Sequence, residues 1–222
     1  MMADRLVFSK HSAGPISKDR LVTVGLLLVI AVSIRFLFHY ALPYFRFDPA
    51  YYDYFWPHRT RLMIHICGGI LAVITGPFQF WTGLRQRFMN VHVWTGRLYL
   101  LGVLVGSFGA FLMTVYTTPR SFAIALIFLA LAWIFTTGIA LAAILRGMVV
   151  LHREWMVRSY IVTFAFVMFR VVQDNLPMVV KHLGESENDG LANTTWISWL
   201  VPLAVFELIR QTRKIFPARQ AV

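Results

Sequence analysis

Two similar sets of four side chains are the residues best equipped for chemistry in this chain. His92, Trp94, Arg97 and Tyr99 open one hydrophobic segment, and His152, Trp155, Arg158 and Tyr160 open another. Each set supplies an imidazole that can ligate a metal, a guanidinium that binds anions through paired N–H groups, and two rings with polar tips. Neutral imidazole ligates haem iron, and a low-spin b-type haem between two helices needs two such rings at one depth. His92 and His152 meet that condition as axial ligands. Arg97 and Arg158 would then hold the propionates, with Trp94, Trp155, Tyr99 and Tyr160 flanking the macrocycle. A quinone is the other planar ligand such a site would take. The same residue types at the first turn of a membrane helix also serve as interfacial anchors, and the repetition is what argues for a ligand.

The elements that must position these residues are membrane helices. With 58% hydrophobic and 14% charged residues, the chain lies outside the range of soluble globular domains. A hydrocarbon core about 30 Å thick needs roughly 20 apolar residues per helix. Six stretches qualify: Leu21 to Pro43, Leu62 to Leu84, Trp94 to Tyr116, Phe122 to Leu145, Val157 to Val179 and Leu191 to Leu208. The expected fold is all-α, a polytopic six-helix transmembrane bundle over residues 21–212, flanked by tails at 1–20 and 213–222. The first twenty residues are basic but have no apolar core ending in a cleavage site, so the first helix reads as retained. The single cysteine, Cys67, reads as a buried, space-filling thiol.

Basic residues divide unevenly between the two sides. Arg5, Lys10, Lys18, Arg20, Arg85, Arg87, Arg97, Arg146, Arg153, Arg158, Arg210, Arg213, Lys214 and Arg219 fall on one side, against Arg46, Arg59, Arg61, Arg120 and Lys181 on the other. By the positive-inside rule both termini are cytoplasmic, giving an N-in/C-in, multi-pass protein of the bacterial inner membrane. The net charge of +11 then follows from topology and anionic lipid, and nucleic acid is not needed as a partner. On the outer side, residues 44–56 crowd eight aromatic rings into one connection. It reads as a loop lying along the membrane surface, or as a docking surface for other membrane subunits. Glu185, Glu187 and Asp189, near Gly184 and Gly190, read as a solvated turn.

Ionisable groups inside a span cost about 2.5–3.5 kcal/mol each on insertion scales, so they face partners or cavities. Arg170 and Asp174 stand one turn apart and are expected to pair with each other. Glu207 is expected at the depth of Arg97 or Arg158, while Arg35 has no evident partner. His65, Arg170 and Asp174 form a separate outer polar site, for a quinol headgroup or a proton path. His39 with His65 is an alternative outer histidine pair. In the second span, Gly69 and Gly76 permit close helix contact, and the amide of Gln79 must find a partner.

The stretch from His65 to Tyr99, with Gly76-Pro77-Phe78-Gln79-Phe80 and His92-Val93-Trp94-Thr95-Gly96-Arg97-Leu98-Tyr99, resembles a widespread family of predicted bacterial membrane proteins of unknown function. His152-Arg153-Glu154-Trp155-Met156-Val157-Arg158-Ser159-Tyr160, with Arg170 further along, is similar to that family's second signature. The resemblance implies a polytopic helical protein and marks His65, His92, Arg97, His152, Arg158 and Arg170. More distantly, the pattern is similar in topology to transmembrane b-type cytochromes, although the fourth span lacks a histidine. The expected function is therefore electron transfer with one haem b, or a quinone, near the cytoplasmic face. The alternatives are a cofactor-free accessory or assembly subunit of a larger complex, and a solute transporter. No catalytic residue is assigned.

Overall fold

The structure, a computed structural model, describes residues 18–81, 86–175 and 187–215, with side chains placed over 23–81, 86–174 and 190–215. The N-terminal tail, Arg85, and the segment holding Lys181, His182 and Glu185 lie outside the described residues. Seven long helices account for the architecture: α1 (Lys18–Phe36), α2 (Arg59–Phe80), α3 (Met89–Thr114), α4 (Arg120–Leu145), α5 (Val149–Thr163), α6 (Ala165–Asn175) and α7 (Glu187–Ile215). Among the described residues there are no strands. Six segments are long and apolar enough to cross a membrane, with α5 and α6 together making the fifth, Val149–Asp174. One end of the bundle collects Arg87, Arg97, Arg146 and Arg158 and is called the basic end below. The other, holding residues 44–58, is the aromatic end.

Apolar side chains gain little by leaving lipid for protein, so helices here must attract by close fit and by polar contacts. The tightest fit is α2 on α3. The buried face of α2 runs through Gly68, Ala72, Gly76 and Gln79, at the three- and four-residue spacing of one helical stripe. A methyl group on Gly68 would fall 2.5 Å from Gly106 Cα and 2.7 Å from Gly102 O, and one on Gly109 would fall 2.7 Å from His65 Cα. The two backbones therefore touch directly. Gly68 makes the contact expected of Gly69, whose Cβ direction is open for 4 Å. Gly76 has a different use: Tyr160 of α5 lays its ring where a side chain would stand. Cys67 lies off this stripe and is exposed, not buried as its type suggested.

The fifth span begins at Val149, earlier than the expected Val157. The reason lies in the turn before it and in the partners after it. Gly147 takes φ 72°, a left-handed conformation that suits glycine. It lets Met148 N–H reach back to Ala143 O at 2.9 Å, closing α4 so that α5 starts immediately. Among the polar residues of the first turns of α5, which argue against membrane burial when counted singly, His152, Glu154 and Arg158 find partners on α4 and α7. The helix is interrupted at Phe164, after Thr163 returns its hydroxyl to Ser159 O at 2.9 Å, a back-bond that loosens a helical turn. Glu187, read as part of a turn, lies in α7.

At the aromatic end, the chain continues from α1 through a π turn (Leu37–Ala41) and a 3-10 turn (Leu42–Arg46), then a helical turn at Pro49–Tyr52 capped by the Asp48 side chain. Tyr52 is the anchor of this connection, 1% exposed, with its hydroxyl donating to Tyr44 O at 2.8 Å. Phe45, Phe47 and Tyr54 remain exposed, as an interfacial loop requires.

The α2–α3 contact generates a stability test. Gly68→Ala forces a methyl into the α3 backbone and is expected to cost about 1–3 kcal/mol, while Gly138→Ala, which meets nothing within 4 Å, is expected to be neutral or slightly stabilising. Thermal unfolding of the two variants in the same detergent separates them; equal midpoints would remove the backbone contact as an organising feature.

Candidate functional site

The Trp-x-x-Arg spacing of both signatures has one structural outcome. On a helix, residues three apart are neighbours, and each guanidinium lies over the indole of its own set: Arg97 over Trp94 and Arg158 over Trp155, both at 4.7 Å. The environments then diverge. Trp94 is 62% exposed and Arg97 is exposed with it, whereas Arg158 is 7% exposed and donates from Nε to Glu207 Oε1 at 2.6 Å. The expected proximity of Glu207 to Arg158 is thus found. Arg210 adds a second cation, bonded to Glu154 and 3.7 Å from Glu207, so two arginines and two glutamates tie α5 to α7 at the basic end. A buried charge whose partner is removed is strongly destabilising, which makes this cluster a structural clamp.

The two histidines of the signatures stand at the starts of α3 and α5. His152 Nδ1–H donates to Ala140 O of α4 at 2.8 Å, which leaves Nε2 as the lone-pair nitrogen. His92 lies at the second turn of α3, where its carbonyl and Thr95 receive the buried amide of Gln79, at 3.5 and 2.8 Å. Gln79 has thereby found the partner its burial requires. Trp155 meets Phe135 of α4 edge-on. Tyr160 belongs to the core against Gly76 and Phe80. Trp94 and Arg97 are thus exposed on α3, while Trp155 and Arg158 pack between α5 and its neighbours α4 and α7.

Tyr99 joins the two sets in another way. Its side chain is fully buried, and its hydroxyl lies 2.6 Å from Ser159 Oγ and 2.7 Å from Thr163 Oγ1. Thr137 Oγ1 is 2.6 Å from Ser159 Oγ, and Trp133 Nε1 donates to Thr163 Oγ1 at 2.7 Å. Because Thr163 donates to Ser159 O, Tyr99 donates to Thr163 and Ser159 to Tyr99, while the single Thr137 hydrogen is shared between two acceptors, Ser159 Oγ and Trp133 O at 2.7 Å. Such a closed network fixes α3, α4 and α5 relative to one another in lipid.

Above this network, toward the aromatic end, lies a cavity of about 260 Å³. Trp133 and Thr163 form its floor, and Tyr44 and Phe55 of the aromatic connection close over it. Its walls are mostly apolar; beside the hydroxyl residues Tyr40, Tyr44, Thr117 and Thr163, it is lined by His65 and Arg170, two of the three members of the expected outer polar site. His65 Nδ1–H donates to Gly106 O at 2.8 Å and the ring meets Phe166 edge-on at 5.6 Å. A carbonyl only accepts, so the neutral ring carries its lone pair on Nε2. Arg170 lies over the Tyr40 ring at 5.2 Å and donates from Nη1 to Gln173 Oε1 at 3.1 Å. Asp174, the third expected member, does not line the cavity. It stands 3.9 Å from Arg35, the arginine that had no evident partner, so the expected Arg170–Asp174 pair is replaced by one between spans. His39 is exposed, with its ring edge toward Tyr40, and makes no pair with His65.

Sequence reasoning missed the residues that shape this site from behind. Gly106 and Gly109 carry no chemical signal, yet their bare backbone lets α2 approach until His65 reaches a carbonyl. Thr137, Ser159 and Thr163 read as ordinary small helix residues. Among the described residues, no group of three or more His, Cys, Asp or Glu side chains could hold a metal ion.

A family model described as "Predicted membrane protein (DUF2306)" matches residues 62–210, from the start of α2 to near the end of α7. No curated protein and no solved structure matches the chain. The match takes in both signatures, the cavity histidine and arginine, and the ionic clamp.

The clamp can be tested by a mutant cycle. Glu207→Leu alone leaves Arg158 buried without its carboxylate and is expected to lower stability by about 2–3 kcal/mol, with Arg158→Met added in the same chain recovering most of the loss. Strictly additive losses in thermal unfolding would show that the two residues do not act as a pair.

Proposed function

Because the chain belongs to the DUF2306 family of predicted membrane proteins and is an integral, six-span protein, we propose that it binds a lipid-soluble ring molecule of the quinone class in the aromatic-end cavity. The observation that carries this reading is the make-up of the cavity. It is mostly apolar, lined by flat rings such as Trp133, Phe166 and Tyr44, and carries an imidazole acceptor and a guanidinium donor beside a few hydroxyls. Ligand sites with mostly apolar walls and a few placed polar groups fit small amphipathic molecules. Rings stack on rings, and a guanidinium directs its N–H groups at a carbonyl or hydroxyl oxygen. Electron transfer is the role this ligand class implies, with the cavity in the outer half if the basic end faces the cytoplasm.

A single b-type haem on His92 and His152 is a second reading, and one observation favours it: the bond to Ala140 O leaves His152 Nε2 as the ligating nitrogen, as in many metal-bound histidines. The propionates would then fall to Arg97, since Arg158 is engaged with Glu207. A visible spectrum of the purified protein before and after reduction separates the readings. The haem reading requires a Soret band that is lost in both His92→Ala and His152→Ala.

The cavity reading has its own test. Gly69 lines the cavity and a Cβ added there meets nothing within 4 Å, so Gly69→Leu is expected to extend its side chain into the open space. Equilibrium binding of a short-tailed benzoquinone to the protein in detergent is expected to weaken at least tenfold in Gly69→Leu and several-fold in Arg170→Met, with unfolding temperatures unchanged for Gly69→Leu. Unaltered affinity in Gly69→Leu would place the ligand elsewhere.

A further inference from the structure

We infer that the cavity selects the reduced, hydroxyl-bearing form of its ligand, the quinol, over the quinone, and that His65 is the group that selects. This inference rests on the quinone-class reading of the cavity and adds the oxidation state to it.

The argument begins with which hydrogens are spent. His65 Nδ1 stands 2.8 Å from Gly106 O, and because that oxygen can only accept, the hydrogen of the neutral ring is on Nδ1. The remaining nitrogen, Nε2, is then an acceptor. Among the described residues no side chain or backbone group bonds to it, and the ring lines the cavity beside Phe166. A ligand that fills the cavity must therefore present a hydrogen-bond donor to His65. A quinol hydroxyl does so. A quinone offers carbonyl oxygens alone, which would set one lone pair against another in a site with little water to intervene.

Arg170 does not discriminate in this way. Its guanidinium carries five N–H donors and no acceptor, and of these Nη1 is directed to Gln173. It can donate to a hydroxyl oxygen as readily as to a carbonyl. Arg170, like the hydroxyls of Tyr40 and Tyr44 that also line the cavity, tolerates both oxidation states, and His65 accepts the reduced state alone. A site built to hydrogen-bond a hydroxyl rejects an analogue lacking it far more strongly than a purely apolar pocket does, since its own polar group would be left unpaired.

What fixes the tautomer is the fold itself. Gly109 and Gly106 let the α2 backbone lie against α3, and a methyl on Gly109 would fall 2.9 Å from His65 Cβ. That approach sets the imidazole within 2.8 Å of Gly106 O. The acceptor at Nε2 is consequently a built-in property of the α2–α3 contact, present before any ligand arrives.

The experiment is anaerobic equilibrium binding to the full-length protein in detergent, using three probes of one shape: a short-tailed benzoquinol, its dimethyl ether and the corresponding quinone. In the wild type the quinol is expected to bind at least tenfold more tightly than either the ether or the quinone. In His65→Phe the three affinities are expected to converge, with the quinone changed less than twofold. Because the wild-type comparison needs no substitution, it stands even if His65→Phe does not fold. Quinone binding as tight as quinol, with both weakened by Gly69→Leu, would overturn the selection by His65 and leave the cavity reading intact. Binding of neither probe, or binding insensitive to Gly69→Leu, would overturn both.

Discussion

Gly68, Gly102, Gly106 and Gly109 bring α2 and α3 together backbone to backbone, and the rest of the structure follows from that approach. In lipid there is no hydrophobic drive to pair two apolar helices, so small residues that permit van der Waals contact along a whole face are the main source of attraction. The same approach gives His65 a backbone carbonyl to bond, which fixes its tautomer and its position in the cavity wall. A glycine stripe that looks purely structural therefore sets the polarity of the site.

Polar groups elsewhere in the bundle obey a second constraint, that each must be paired where water is absent. The hydroxyls of Tyr99, Ser159, Thr163 and Thr137 satisfy one another and, with the Trp133 indole, hold three helices in register beneath the cavity. At the basic end, Arg158, Glu207, Arg210 and Glu154 satisfy charge in the same way. Two polar clusters are thus consumed by structure. His65 and Arg170, in contrast, line open volume, with His65 Nε2 and most of the Arg170 N–H groups turned to no protein partner among the described residues. That contrast, between groups engaged with other helices and groups facing open volume, separates architecture from candidate function more sharply than residue type does.

The spans were legible because hydropathy over roughly 20 residues is a strong signal. The start of the fifth span was not. Arg158, Glu154 and His152 each count against burial when summed singly, and only the fold reveals the partners on α4 and α7 that neutralise them. Depth along a helix predicted the Arg158–Glu207 pair correctly, since both ends were fixed by the spans. It failed for Arg170 and Asp174, where spacing within one helix suggested a pair that Arg35, on another span, takes over. The repeated Trp-x-x-Arg element was visible as a repeat, but the sequence did not reveal that each arginine would stack on its own tryptophan. His65 and Arg170 were recognised as an outer site. Gly106 and Gly109 were not, because a glycine's role depends on what the neighbouring helix places against it.

The most direct measurement is photolabelling with an azido-substituted short-tailed quinone, followed by mapping of the labelled peptides. The account predicts saturable labelling on α2 and on α5–α6, within residues 62–73 and 162–170, competed by the unmodified ring compound. Saturable labelling confined to the signature segments at the basic end, around residues 92–99 and 152–160, would contradict it.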